Sequence, residues 1–185
     1  MNKKIECAVI QTLVNGYNIS FYLQEGTLSA FQVNRHPGTS HTISILHIPS
    51  HIGDIPVTSI ADFGFVETDT LLLITIPETV TSIGERAFTG CMKLADISIP
   101  GSIKTVPFSF QSCENLKMVT FNEGVERIEQ GAFSDCENIE VIQFPSSLIY
   151  ISDDAFKESK NIEIINTNGN EEAIRFAKKR NIKYY

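Results

Sequence analysis

The side chains with the most chemical potential in this sequence are four histidines, four cysteines and a few grouped carboxylates. His36, His41, His47 and His51 lie close together, with Asp54 just beyond, and could be drawn as a metal site. Their spacings of 5, 6 and 4 match no standard ligand pattern. His47 is expected on a strand face and the other three in loops. Cys91, Cys113 and Cys136 recur at 22 and 23 residues, with no CxxC pair to suggest zinc. Equivalent residues in stacked coils would lie about 4.8 Å apart. Such thiols serve as small buried hydrophobes, not as a disulfide framework. Cys7 stands outside that series, and the pattern fits a reducing compartment such as the cytoplasm without demanding one.

The carboxylates suggest no acid–base pair. Asp153–Asp154 reads as a turn, Glu171–Glu172 as a helix start, and Glu123, Glu126 and Glu129 as a solvated outer face. There is no GxSxG elbow and no glycine-rich phosphate loop. With no positioned acid, base or nucleophile, the reading is a non-enzyme without metal or cofactor. The net charge of -7 argues against nucleic acid or an anionic membrane as partner. Aromatic and basic residues do not interleave as a nucleic-acid groove requires. No run approaches 18 apolar residues, so no transmembrane segment is expected. Residues 1–14 look faintly basic then apolar, but Gln11 and Thr12 break the run, and they read as structure rather than a secretion signal.

What positions these side chains is a repeat. Pro77, Pro100, Asn122 and Pro145 recur at 23, 22 and 23, and Phe88, Phe110, Phe133 and Phe156 at 22, 23 and 23. A period of this size marks a solenoid, whose coils bury apolar faces only against each other. Coils open at Leu71, Leu94, Leu116 and Ile139, with a partial coil at Ile162. An earlier coil carries about five extra residues around Ser50–Pro56, since Pro49 lies 28 residues before Pro77. Within a coil, pairs such as Ile97 and Ile99 are two apart, the period of a strand with that face inward. Proline then ends the ladder because it has no N–H to donate. Val80, Ile103, Val125 and Leu148 should turn inward next, then Ile83, Val106, Ile128 and Ile151. The AF pairs that follow should sit in a short helical turn, their phenylalanines stacked through the core.

The ends must differ from the middle, because stacking stops there. Runs at Glu6–Val14, Tyr17–Leu23, Leu28–Val33 and Ile43–Ile48, with turns at Asn15–Gly16 and Glu25–Gly26, predict an amino-terminal cap of hairpins. Asn170 is a good N-cap, Glu171 and Glu172 suit the first helical turn, and Asn181 could close the helix before a short strand at Ile182–Tyr185. Five of the fifteen Lys and Arg lie in residues 171–185, and Lys178, Lys179 and Arg180 fit a helix C-terminus. A single domain is expected over 1–185, with cap 1–42, repeats 43–169 and cap 170–185.

The segment Leu71, Ile74, Ile76, Pro77, Val80, Ile83, Gly84, Ala87, Phe88 and Cys91 resembles the unit of the BspA-type leucine-rich repeats. Ile55–Ile60 (IPVTSI) and Ala173–Tyr185 also resemble that family. Departures are Asn122 for proline, Ser109 for alanine, Pro107, Glu129 and Ser152 for glycine, and Ser159 for cysteine. The resemblance implies an α/β solenoid: a right-handed leucine-rich repeat coil with short parallel strands on the concave face, a hairpin-rich N-terminal cap and a short C-terminal helix. It also implies adhesion or protein binding, often by surface or secreted proteins, although fold does not dictate function.

On that face one outward column reads His47, Thr75, Ser98, Thr120, Gln143 and Asn166, all polar. The next reads Ile45, Leu73, Asp96, Met118, Val141 and Ile164, and a third Ser44, Leu72, Ala95, Lys117, Glu140 and Glu163. The apolar members of the second column suggest contact with a protein or with another copy of the chain. The competing explanation is β-favouring residues on a half-exposed sheet, or cover by a loop. The candidate contacts are therefore His47, Leu73, Thr75, Asp96, Ser98, Met118, Thr120, Val141, Gln143, Ile164 and Asn166. The leading expectation is a non-catalytic protein-binding module, the alternative a structural or self-associating solenoid.

Overall fold

Successive coils lay equivalent residues over one another, so the repeat period becomes a set of sheets. The computed structural model describes residues 8–14, 17–24, 26–31 and 44–185. Strands β1 (Ala8–Val14), β2 (Tyr17–Gln24) and β3 (Thr27–Phe31) form two antiparallel hairpin pairs. The expected turn at Asn15–Gly16, and Glu25, Glu6, Cys7, Val33 and Ile43, lie outside the described residues.

The repeats begin with β4 (Ile45–His47). The extra residues of this coil fold as a small antiparallel hairpin, β5 (His51–Ile52) against β6 (Ile55–Ile60). His51 therefore lies on a strand, not in the loop expected for it. β6 also pairs in parallel with β3, joining the hairpins to the solenoid. The long strands continue as β7 (Leu73–Thr75), and a shorter strand β8 (Ser82–Ile83) follows the turn. The same alternation gives β9 (Asp96–Ile99), β10 (Thr105–Val106), β11 (Met118–Phe121), β12 (Arg127–Ile128), β13 (Val141–Gln143), β14 (Tyr150–Ile151) and β15 (Ile164–Asn166). Helix α1 (Glu171–Arg180) and β16 (Lys183–Tyr184) close the chain.

The curled parallel sheet runs β4-β7-β9-β11-β13-β15-β16. It is seven strands wide rather than the six read from the sequence, because β16 pairs with β15. Asn122 explains why β9 and β11 are four residues long: it donates its N–H to the Ile99 carbonyl at 3.0 Å, a bond proline cannot make.

A second ladder, not foreseen from the repeat, joins the short strands. It has two parts, β6–β8 and β10–β12–β14. The break coincides with Pro107. Gly84, Glu129 and Ser152, at the same place in other coils, donate their N–H to Ile60, Val106 and Ile128 at 2.8, 2.9 and 2.9 Å. Pro107 has no N–H to offer Ile83. The AF segments, expected in a short helical turn, form single hydrogen-bonded turns, as in Cys91 N–H to the Phe88 carbonyl at 3.2 Å.

One column of parallel rings runs through the core. Phe65, Phe88, Phe110, Phe133 and Phe156 stack at 5.4, 5.0, 4.9 and 5.1 Å between centroids, with interplanar angles of 9° or less. Phe121 and Phe144 stack beside them and meet Phe133 and Phe156 edge-on. Full burial of each ring is worth about 1.5–3 kcal/mol. Phe176 of α1 ends the column, tilted 56° to Phe156. The cap helix is fixed by Asn170, whose Oδ1 accepts from Ala173 N–H at 2.9 Å, and closes at Asn181 in the left-handed region.

The buried thiols and hydroxyls sew coil to coil. Cys91, Cys113 and Cys136 donate to the carbonyls of Phe65, Phe88 and Phe110, each one coil back, at 3.3, 3.3 and 3.0 Å. Ser109, in the alanine position, donates to Gly84 at 2.9 Å. Two departures from the repeat are thus satisfied internally, since Ser159 behaves like the thiols.

Candidate functional site

The face that could meet a partner is built by strand register. In β4, β7, β9, β11, β13 and β15 alternate side chains point inward, and Leu46, Ile74, Ile97, Val119, Ile142 and Ile165 are buried. Their neighbours must point out. The pairings Ile45–Leu73, Leu73–Asp96, Asp96–Met118, Met118–Val141 and Val141–Ile164 make one column. Beside it run His47–Thr75, Ser98–Thr120, Thr120–Gln143 and Gln143–Asn166. All eleven candidate contacts are therefore on one surface, in two adjacent rows.

Their exposure is uneven. His47, Leu73, Thr75, Asp96, Ser98, Met118 and Gln143 are exposed, while Thr120, Val141, Ile164 and Asn166 are half-buried. Asp96 divides the apolar column. On one side Ile45, Leu72 and Leu73 are 46%, 47% and 39% exposed, next to the sheet's β4 edge. On the other Met118 is 42% exposed, beside Val141 and Ile164. Ile45 and Leu72 belong to the apolar surface as much as Leu73 does. The columns contained both, but the alternation alone could not rank their exposure.

The polar row is partly ordered by its own bonds. His47 Nδ1 and Thr75 Oγ1 are 2.7 Å apart, and Ser98 Oγ donates to Asn122 Oδ1 at 3.3 Å. In the third column Lys117 and Glu140 form an exposed ion pair at 3.8 Å. Such a pair contributes little to stability and leaves the charges available to a partner.

The groups that might have done chemistry do other work. Among the described residues no group of three or more His, Cys, Asp or Glu could hold a metal ion. His36 and His41 lie outside the described residues, and His51 bonds its neighbour Ser50. Burial pushes the Cys91 thiol up to about 12, and Cys113 well above its usual value through the adjacent Cys136 side chain and burial. Protonated, buried thiols are poor nucleophiles. The outer glutamates are not simply solvated. Glu123 accepts from Ser146 N–H and Oγ–H at 2.8 and 2.9 Å and from Asn168 Nδ2 at 3.0 Å, which holds its carboxyl below the usual range. Glu126 pairs with Lys104, and Glu129 with Arg127. No helix among the described residues is long and apolar enough to cross a membrane.

Comparison with known proteins gives the family of this architecture. The family model of the BspA type leucine rich repeat region matches residues 41–177 in six copies. The chain belongs to the BspA-type leucine-rich repeat family. Solved structures of similar fold include a leucine-rich repeat protein of T. pallidum, at 24% identity and TM-score 0.69 over 80% of this chain and 68% of that one. A leucine-rich repeat protein of Bacteroides ovatus gives 24% identity and TM-score 0.53, over 90% of this chain and 47% of that one. One from Eubacterium ventriosum gives 24% and 0.56, over 78% and 39%. This BspA-type chain thus spans about half or less of the length of the last two. No curated protein matches the sequence significantly. As a BspA-type repeat it is a solenoid scaffold whose rows of outward side chains suit protein interaction, with no catalytic constellation among its described residues.

Proposed function

We propose that this chain is a non-catalytic protein-binding module that engages its partner through the outward face of the curled sheet, in surface recognition or adhesion. One observation carries the reading: Leu73, Met118, Val141 and Ile164 keep apolar surface in one registered column, interrupted at Asp96 and flanked by a polar row. Apolar surface beside a polar row is an arrangement in which buried area supplies affinity and hydrogen bonds supply specificity. The adhesion role rests on membership of the family.

The test is a pull-down from host and microbial extracts with the native chain and a Met118→Asp, Val141→Asp variant. Partners recovered by the first and lost by the second support the reading. Equal recovery of every partner excludes those positions as the contact. A second reading, self-association, is favoured by Ile45, Leu72 and Leu73, which crowd exposed apolar surface beside the sheet edge at β4. Light scattering at high concentration decides it, and a strict monomer removes it.

A further inference from the structure

The turns that follow the short ladder border an open groove of about 420 Å³. None of its lining residues lies on a strand, so the groove is separate from the sheet face. Three consecutive coils build it: Phe108 and Gln111 from one, Gln130 and Asp135 from the next, Asp154 and Lys157 from the third. The backbone holds these turns in register, through Gly131 N–H to the Asp154 carbonyl at 3.1 Å and Asp135 N–H to the Lys157 carbonyl at 2.8 Å. The backbone that carries these side chains is thus placed before any ligand arrives.

The apolar wall is Phe108, where other coils carry Phe63, Arg86, Gly131 and Asp154. Gly131 makes room for the ring: a Cβ there would lie 2.7 Å from Phe108 Cδ2. The Arg86 guanidinium carbon lies 5.4 Å from the ring centroid. Around the ring only one side-chain hydrogen bond joins the lining residues, from Gln111 Nε2 to Asp135 Oδ2 at 3.1 Å. The Gln130 amide, the Asp154 carboxylate and the Lys157 ammonium keep unused hydrogen-bonding capacity toward the groove.

These features select a ligand class. The volume falls in the range of small-molecule sites, about 300–1,000 Å³, and is far too small for a protein surface. An anion would meet Asp135 and Asp154, while a cation would meet Lys157. What remains is a neutral molecule with an apolar face and several hydroxyls, each able to donate and accept. We infer that the Phe108 groove binds a neutral saccharide, with the C–H face of a sugar ring on Phe108 and its hydroxyls bonded by Gln130, Asp135 and Asp154.

Affinity electrophoresis tests this, in native gels containing a soluble β-glucan, an α-mannan or a galactan, with parallel gels containing poly-lysine or dextran sulfate. At least one neutral polysaccharide should retard the chain. Phe108→Ala should abolish the retardation, and Gln130→Ala, at an exposed position, should weaken it about tenfold while leaving the thermal melt unchanged. The Met118→Asp, Val141→Asp variant should still be retarded, which separates this site from the sheet face. Migration unaltered in every neutral gel overturns the proposal. So does retardation by a polyion alone, or full retardation of both Gln130→Ala and Asp154→Asn.

Discussion

Ser159 Oγ donates to the Phe133 carbonyl, one coil back, at 2.9 Å. It replaces the thiol of the preceding coils and keeps the same bond in a fully enclosed place, only 1% exposed. Ser159→Ala should therefore leave the Phe133 carbonyl without this donor and destabilise the chain by about 1–3 kcal/mol. Ser159→Cys restores the donor of the other coils and should recover most of that loss. Urea titration of the two variants distinguishes them, and equal destabilisation would mean that the bond is irrelevant and only the volume matters.

Gly101 and Gly124 mark a close approach of two coils. A Cβ on Gly101 would stand 1.8 Å from the Glu123 carbonyl oxygen, and one on Gly124 2.5 Å from that of Gly101. Both obstacles are backbone, so the coils must separate. Gly101→Ala should lower stability by about 3 kcal/mol, the upper end for overpacking, because the obstacle is backbone. Gly53, with nothing within 4 Å and φ of +60°, is the control, where alanine pays only the left-handed strain of about 1–2 kcal/mol. Thermal melts that leave Gly101→Ala no less stable than Gly53→Ala would contradict the close approach.

The left-handed conformation recurs at one equivalent place in successive coils, at Glu67, Gly90, Ser112, Asp135 and Glu158. Only one of these is glycine, so four side chains are held in strained backbone. Ser112→Gly should stabilise by about 0.5 kcal/mol, the relief of about 1–2 kcal/mol of strain less the extra entropy glycine loses, about 0.5–1 kcal/mol. A lower midpoint in urea for the glycine variant would show that Ser112 is not strained.

The cap helix is pinned electrostatically to the last full coil. Asp153 takes Lys179 and Arg175, the latter at 3.1 Å, and Arg175 also bonds Glu172 at 2.7 and 2.8 Å. Lys179, then Arg175, holds the Asp153 carboxyl below its usual value, and Arg175 does the same for Glu172. A carboxyl depressed on folding stabilises the fold above its unfolded pKa, and that contribution is lost as pH falls through the lower folded value. The helix should therefore loosen below the ordinary carboxylate range, about pH 4. The protection of the Ala173, Phe176 and Ala177 amides, taken against their intrinsic exchange rate at each pH, should fall there, and Arg175→Ala should remove much of the pH dependence. Protection that stays constant on acidification would show that apolar packing of Phe176 alone holds the cap.

The period of 22 to 23 residues marks every coil, its inward rows and the ring column, because each coil buries its apolar face against its neighbours. Ile97 and Ile99 announce a strand two residues at a time, and Asn170 announces a helix by its side chain. The eleven candidate contacts followed from the same alternation, which places them but says nothing of how deeply Val141 or Ile164 sinks between neighbours. Local letters could not reveal the second ladder or its interruption at Pro107, since a two-residue strand has no period of its own. They could not reveal the strained turn before each thiol, because only Gly90 carries the residue that such a backbone prefers. The Phe108 groove was equally hidden: it departs from the repeat, and it exists only because three coils stacked at sheet spacing bring Gln111, Gln130 and Lys157 around one ring. Periodicity is a property of the chain, whereas a cavity is a property of how coils that differ happen to lie on each other.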